Sequence, residues 1–147
     1  MKITEAIDLF KKIREEYSNT EIGYSNREQL QYWRQKLVFI YSTLADRTSE
    51  VSAAKIYQER RKDIVRSEEY KRIEEELKAS KGKAKSATAI KEEIGNSQAY
   101  RKWSEDYSKA YGRWQQFTDL QESVKLTIDS ISSHLRNIQT ADYLDPK

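Results

Sequence analysis

Apolar residues recur along this chain in steps of three and four. Over residues 3–17 they fall at Ile3, Ala6, Phe10, Ile13 and Tyr17, the spacing that lines one face of an α-helix. The stretch NTEIGYSN (19–26) interrupts the pattern with Asn, Gly and Ser and predicts a turn. Asn26 is then placed to accept from free amides in the first turn of the next helix. From Tyr24 to Lys81 there is neither Gly nor Pro. A seam runs there through Leu30, Trp33, Leu37, Ile40, Leu44, Val51 and Ala54, missing only at Arg47, then weakens to Tyr57, Ile64, Val65, Ile73 and Leu77 among charges. The pattern predicts one nearly continuous helix over 26–79, with a break near Arg47–Ser49 as the alternative. The second half of that helix is expected to be mostly solvated.

KASKGKAKSA (78–87) reads as a loop, and 87–94 as a short helix closed by Gly95 in a left-handed cap. Asn96 or Ser97 starts the last helix, which carries the strictest pattern. Tyr100, Trp103, Tyr107, Ala110, Trp114, Phe117, Gln121, Val124, Ile128, Ile131, Leu135 and Ile138 alternate steps of three and four without a miss. A period of 3.5 over five heptads implies left-handed coiled-coil packing, along a seam of about 58 Å at 1.5 Å per residue. A rod of that length exceeds what a compact monomer needs. Tyr100, Trp103, Tyr107, Trp114, Phe117, Val124, Ile128, Ile131, Leu135 and Ile138 are therefore the expected oligomerisation residues. Gly112, which costs about 1 kcal/mol inside a helix, suggests the close approach of another backbone. The closing TADYLDPK is expected to fray.

The expected fold is all-α: an extended helical hairpin or bundle of long amphipathic helices with coiled-coil-like assembly. A single domain would comprise an N-terminal helix and turn (1–25), a long helix that is basic in its second half (26–80), a basic loop and short helix (81–95) and an assembly helix (96–140). Composition agrees, since 35% of the 147 residues are charged and 37% apolar, with four Gly and one Pro. A mean hydropathy of -0.96 leaves little apolar material for a monomer core, so burial is expected to be completed against copies of the chain or a partner. MKITEAIDLFKKIREEY at the start reads as an amphipathic helix rather than a signal peptide, and no apolar run approaches membrane-span length.

Charge changes the picture locally. The chain carries +3 overall, yet residues 51–85 hold eleven Lys or Arg against seven Asp or Glu. A basic stretch in a near-neutral chain points to a localised polyanion contact. Lys55, Arg60, Arg61, Lys62 and Arg66 stand along one helix, and Lys78, Lys81, Lys83 and Lys85 decorate the loop. Phosphate binding needs flexible or forked cations spaced along a backbone. The helical cations read equally well as a solvated face laced with ion pairs, because Glu59, Asp63, Glu68 and Glu69 intervene. The loop lysines favour phosphate, since no acid interrupts residues 77–91.

The aromatic stripe could serve as a base-stacking platform, for which exposed rings beside cations are the usual form. Its phase continues unchanged into Val124, Ile128, Ile131 and Leu135, which favours a packing seam. Tyr111, beside that seam and near Arg113, is the better candidate for an exposed ring. Catalytic equipment is poor. There is no Cys for a disulfide, zinc-thiolate site or thiol nucleophile, and His134, off the seam, is the only His. The KGK at 81–83 lacks the second Gly and the preceding strand of a phosphate loop. Neither an enzyme nor a cofactor is expected.

The segment TIDSISSHLRNIQT (127–140), with Ile128, Ser130, Leu135, Arg136, Ile138 and Gln139, resembles the C-terminal helix of phage recombination mediators of the UvsY family. The order of a basic helix, a glycine-containing loop, a short helix (KEEIGNSQAY) and a long amphipathic helix is similar too. The resemblance covers roughly residues 88–140, and the first half only in character. The family's basic helix runs into an aromatic-glycine turn, whereas SKGKAKS has Gly82 without an adjacent Tyr.

The resemblance implies a small helical homo-oligomer that binds single-stranded DNA and helps load a RecA-like recombinase onto strands covered by single-strand-binding protein. It implies no enzymatic activity, and by position it makes Lys55, Arg60, Arg61 and Lys62 the DNA-contacting candidates. The location expected is cytoplasmic, that of the host if the chain is phage-encoded, with no membrane contact. The alternatives are a helical adaptor or inhibitor acting by protein binding, and a phage structural component.

Overall fold

The computed structural model describes residues 1–80 and 82–144, the side chains of 141–144 excepted. Four helices follow one another: α1 (Ile3–Ser18), α2 (Arg27–Ser80), α3 (Ala87–Gly95) and α4 (Gln98–Leu144), with a short 3₁₀ turn at Tyr24–Asn26 before α2. No strand occurs among the described residues, so the protein is all-α, built on two long helices. No helix among them is long and apolar enough to cross a membrane.

The chain divides into two units, Met1–Ser49 together with the chain from Gln116 onward, and Glu50–Gln115. Helices α2 and α4 each contribute to both. The division falls beside Arg47, where the α2 seam misses a step, yet the helix continues through it. With no Gly or Pro in that stretch, nothing removes a backbone donor or relaxes the chain there.

In the first unit three helical faces close one core. Ala6, Phe10 and Ile13 of α1, Leu30, Trp33, Leu37, Ile40 and Leu44 of α2, and Val124, Ile131, Leu135 and Ile138 of α4 are buried together, with Phe117 and Ile128 packed partly against them. The Tyr17 hydroxyl and Ser130 Oγ share a hydrogen bond of 2.7 Å, and the Tyr17 ring meets Trp33 edge-on at 5.9 Å. His134 lies against the same ring at 6.0 Å. Ser130, Leu135 and Ile138, which carry part of the family resemblance, are thus packing residues of this core.

Of the expected oligomerisation residues in this unit, Val124, Ile131, Leu135 and Ile138 are buried within a single chain. Their apolar surface is largely covered by α1 and α2 of the same chain. The 3.5-residue period specifies a helix that packs along its length, and helices of the same chain satisfy it as well as helices of another.

In the second unit α2 runs antiparallel to the first half of α4, and α3 caps them. Ile73, Ile90 and Ile94 form a small core with Leu77 and Tyr100 against it. The α2 segment is largely solvated here, with Tyr57, Ile64 and Tyr70 exposed. It is held by short-range ion pairs, Lys55–Glu59 at 3.6 Å, Arg72–Glu69 at 2.8 Å and Arg72–Glu76 at 2.7 Å, each of the helical i,i+3 or i,i+4 type. The hydrogen bonds that Arg72 donates to Glu69 and then to Glu76 raise its guanidinium above its ordinary pKa, so it stays a charged clamp.

Local details differ from the expected caps. Asn26 Oδ1 accepts from the Gly23 amide at 3.1 Å, closing the turn before α2 rather than capping α2 itself. Gly95 ends α3 as its last helical residue, and Asn96 follows at φ -95°, right-handed; no left-handed cap forms. Ser86 Oγ accepts from the Ala89 amide to start α3, and Ser97 Oγ from the Tyr100 amide to start α4, as N-caps do. The Gly82 amide donates to the Leu77 carbonyl at 3.2 Å and satisfies one of the open carbonyls at the end of α2. Helix α4 takes in the closing stretch as far as Leu144; residues 145–147 lie outside the described residues.

Gly112 is exposed on α4, and a Cβ there would meet no atom within 4 Å. No backbone of this chain approaches it. Gly112→Ala is therefore expected to stabilise the protein by about 0.5–1 kcal/mol, through helix propensity alone. Urea unfolding midpoints check this; a destabilised variant would show that another chain's backbone packs at this position.

Candidate nucleic-acid interface

The aromatic stripe of α4 forms a continuous ladder within the second unit. Ring centroids step from Tyr100 to Trp103 at 5.1 Å, to Tyr107 at 5.5 Å, to Tyr111 at 6.1 Å and to Trp114 at 5.6 Å. Only the Trp103–Tyr107 pair is stacked, at 16° between planes. These spacings are typical of favourable ring pairs. The ladder follows from the sequence spacing, since residues three and four apart on a helix are neighbours. Tyr111, one position off the strict seam, bridges the gap that Ala110 leaves.

The rungs differ in exposure. Trp103 is buried, and its indole Nε1–H donates to the Gln58 carbonyl of α2 at 2.7 Å. Tyr100, Tyr107 and Trp114 are half-buried, and Tyr111 is 43% exposed. The ladder is neither a fully buried seam nor an open platform: its centre is anchored on α2, and its edges meet solvent.

Cations of α2 lie along the same ladder. Lys55 Nζ sits 3.8 Å from the Trp114 ring centroid and 5.8 Å from that of Tyr111, Lys62 Nζ is 5.9 Å from Trp103, and the Arg66 guanidinium is 5.9 Å from Tyr100. Positions 55, 62 and 66 share one side of a 3.6-residue helix, and the antiparallel register delivers each to a successive ring. Lys55 is a structural clamp, because its side chain keeps 19% of its exposure and is paired with Glu59. Lys62 and Arg66 stand near the outer limit of about 6 Å for a cation–ring attraction, free enough to meet a phosphate without leaving the rings. Neither has a carboxylate partner among the described residues.

The other expected contacts separate. Arg61 turns to Asp106 of α4 at 4.0 Å and to Gln58 Oε1 at 3.4 Å, so it helps join the two helices. Arg60 is exposed, on the side of α2 that also exposes Tyr57 and Ile64, away from the ladder. Lys78 and Lys83 are exposed around the α2–α3 connection, and Lys85 forms an ion pair with Glu93 of α3. Lys81 lies outside the described residues. Of the nine candidates, Lys55, Lys62 and Arg66 are gathered on the rings.

Tyr70 and Lys91 share a cleft with Arg66 and Tyr100; Tyr70 stands one turn after Arg66, and Lys91 closes the acid-free run from 77 to 91. No protein-family model, curated protein or solved structure matches the chain. What the interface can do is read from its chemistry: cations placed to neutralise phosphates, beside ring faces and edges that accept any base.

Proposed function

We propose that this protein binds single-stranded DNA as a recombination mediator, acting in the cytoplasm to help load a RecA-like recombinase onto strands covered by single-strand-binding protein. The observation that carries the binding step is the seating of Lys62 and Arg66 over Trp103 and Tyr100 on a partly exposed ring ladder. Single-strand binders combine such a cationic track with sequence-tolerant stacking. The choice of DNA and the recombinase step are supported by the resemblance of residues 127–140 to the UvsY family. Self-association belongs to the same reading, because repeating a weak site raises avidity without new contacts. The expected seam residues that keep surface for it are Tyr100, Tyr107, Trp114, Phe117 and Ile128.

Fluorescence anisotropy with labelled oligonucleotides tests the binding step. Micromolar protein at about 50 mM salt is expected to bind a single strand, with a slope of log affinity against log salt near -3 for about four phosphate contacts. Absence of binding under those conditions would remove the proposal. A second reading, a helical adaptor that binds another protein, is favoured by Tyr32, Val38 and Phe39, each half-exposed on α2 in the first unit. Exposed large apolar groups are candidates for protein contacts, and salt-insensitive capture of a protein partner with no oligonucleotide binding would select this reading.

A further inference from the structure

The second unit also holds an open cleft, separate from the cation–ring pairs at Lys55 and Lys62. It lies among α2, α3 and the start of α4, has a volume of about 500 Å³, and is lined by Arg66, Tyr70, Lys85, Lys91 and Tyr100 around Ile90 and Ile94. That volume falls within the range of about 300–1,000 Å³ usual for small-molecule sites. No carboxylate lines it among the described residues. Lys85 is held at the rim by Glu93, while Arg66 and Lys91 have no carboxylate partner among the described residues.

The chemistry of the walls narrows the occupant. Ile90 and Ile94 are buried members of the small core, so the apolar wall is preformed. Tyr70 is 44% exposed, and Tyr100 is braced against Trp103 with the Arg66 guanidinium near its ring. Two tyrosine rings, an apolar wall and three cations suit a ligand that is flat and aromatic at one end and anionic at the other. A nucleotide has that form. A second cleft of about 400 Å³ adjoins the first, shares Tyr70, Lys85 and Ile90 with it, and extends past the carboxylate of Glu74 to Lys78 and Gly82. Two adjoining clefts with a ring and a cation in common fit a continuing strand better than an isolated small molecule.

We propose that the first cleft receives one nucleotide of a bound single strand. Its base lies against Tyr70 and Tyr100 over Ile90 and Ile94, and its phosphates meet Arg66, Lys91 and Lys85. This rests on the single-strand reading above and adds that the strand is held by a base at a defined place as well as by its phosphates. Stacking of a base on a ring adds to affinity whatever the base, so removing the base from the strand carries a measurable penalty.

The test compares a labelled thymidine oligomer of about twelve nucleotides, within the usual range of site sizes, with an abasic oligomer of the same length. Both are titrated with the full chain at one salt concentration. The wild-type protein is expected to bind the thymidine oligomer about tenfold more tightly, Tyr70→Leu to lose most of that preference, and Lys91→Gln to weaken both oligomers alike. Circular dichroism of each variant checks that the helices are intact; Lys91, exposed on α3, gives a second route if Tyr70→Leu unfolds. Equal affinity of the wild-type protein for both oligomers, or an undiminished preference in Tyr70→Leu, would overturn the cleft assignment while leaving strand binding in place. Failure of either oligomer to bind would overturn strand binding itself. Displacement of the labelled oligomer by thymidine monophosphate at an affinity equal to that of the oligomer would show a site for free nucleotides and overturn the strand assignment; a much weaker competitor is expected.

Discussion

Trp103→Ala is expected to lower the stability of the protein by about 3–5 kcal/mol, the usual cost of truncating a buried Trp. The loss has three parts. The indole is buried, at 6% exposure, so its removal leaves a cavity between α2 and α4 of the second unit. Its hydrogen bond to the Gln58 carbonyl disappears, and the stacked contact with Tyr107 goes with it. For a chain of this size each kcal/mol moves the melting temperature by about 2–4 °C, so thermal unfolding should shift by roughly 6–20 °C. Trp114→Ala, which removes a half-buried ring and the Lys55 contact at 3.8 Å, should cost less. A Trp103→Ala protein with unchanged melting but lost oligonucleotide binding would mean that this ring serves bases rather than packing.

The double substitution Lys62→Gln, Arg66→Gln tests the opposite property. Both cations lie 5.9 Å from their ring centroids, where the attraction contributes only about 0.5 kcal/mol each, so unfolding should barely change. Single-strand affinity is expected to fall on the order of 50-fold at about 50 mM salt, and the salt slope to flatten from about -3 to about -1.6, at 0.7 per lost phosphate contact. An unaltered slope would show that these two side chains do not meet phosphate, and attention would pass to Arg60 and the loop lysines. Together the two experiments separate the residues that hold the ladder from those that would use it.

Much of the architecture was legible because helical periodicity is a local property. Steps of three and four predicted α1, both long helices and the α3 segment, and the absence of Gly and Pro from 25 to 80 favoured a nearly continuous α2 over one broken near Arg47–Ser49. Caps were less legible. Asn26 and Gly95 are common cap residues, but the partners they find depend on how the turn folds back, and here Asn26 serves Gly23. The candidate site was legible by composition and not by arrangement. Lys55, Arg60, Arg61, Lys62 and Arg66 look alike as a string of charges, yet helix phase and the register with α4 give them different neighbours. Lys55 is clamped on Trp114, Arg61 faces Asp106, Arg60 meets solvent, and Lys62 and Arg66 combine a ring with a charge that has no carboxylate partner among the described residues.

The sequence by itself determined the all-α character, the existence of an apolar seam on α4 and the basic excess in residues 51–85. Each depends on composition or on a period that a single helix already possesses. Tertiary structure decided what the seam packs against. A heptad pattern states that a face must be covered and is silent on what covers it; α1 and α2 of the same chain bury Val124, Ile131, Leu135 and Ile138. It also decided the fate of the aromatic end. The strict phase of Tyr100, Trp103, Tyr107 and Trp114 reads as uniform burial, but only Trp103 is buried. α2 crosses that end of the seam with lysine and arginine stems instead of leucines, and long cationic side chains cover rings while keeping their charged heads toward water.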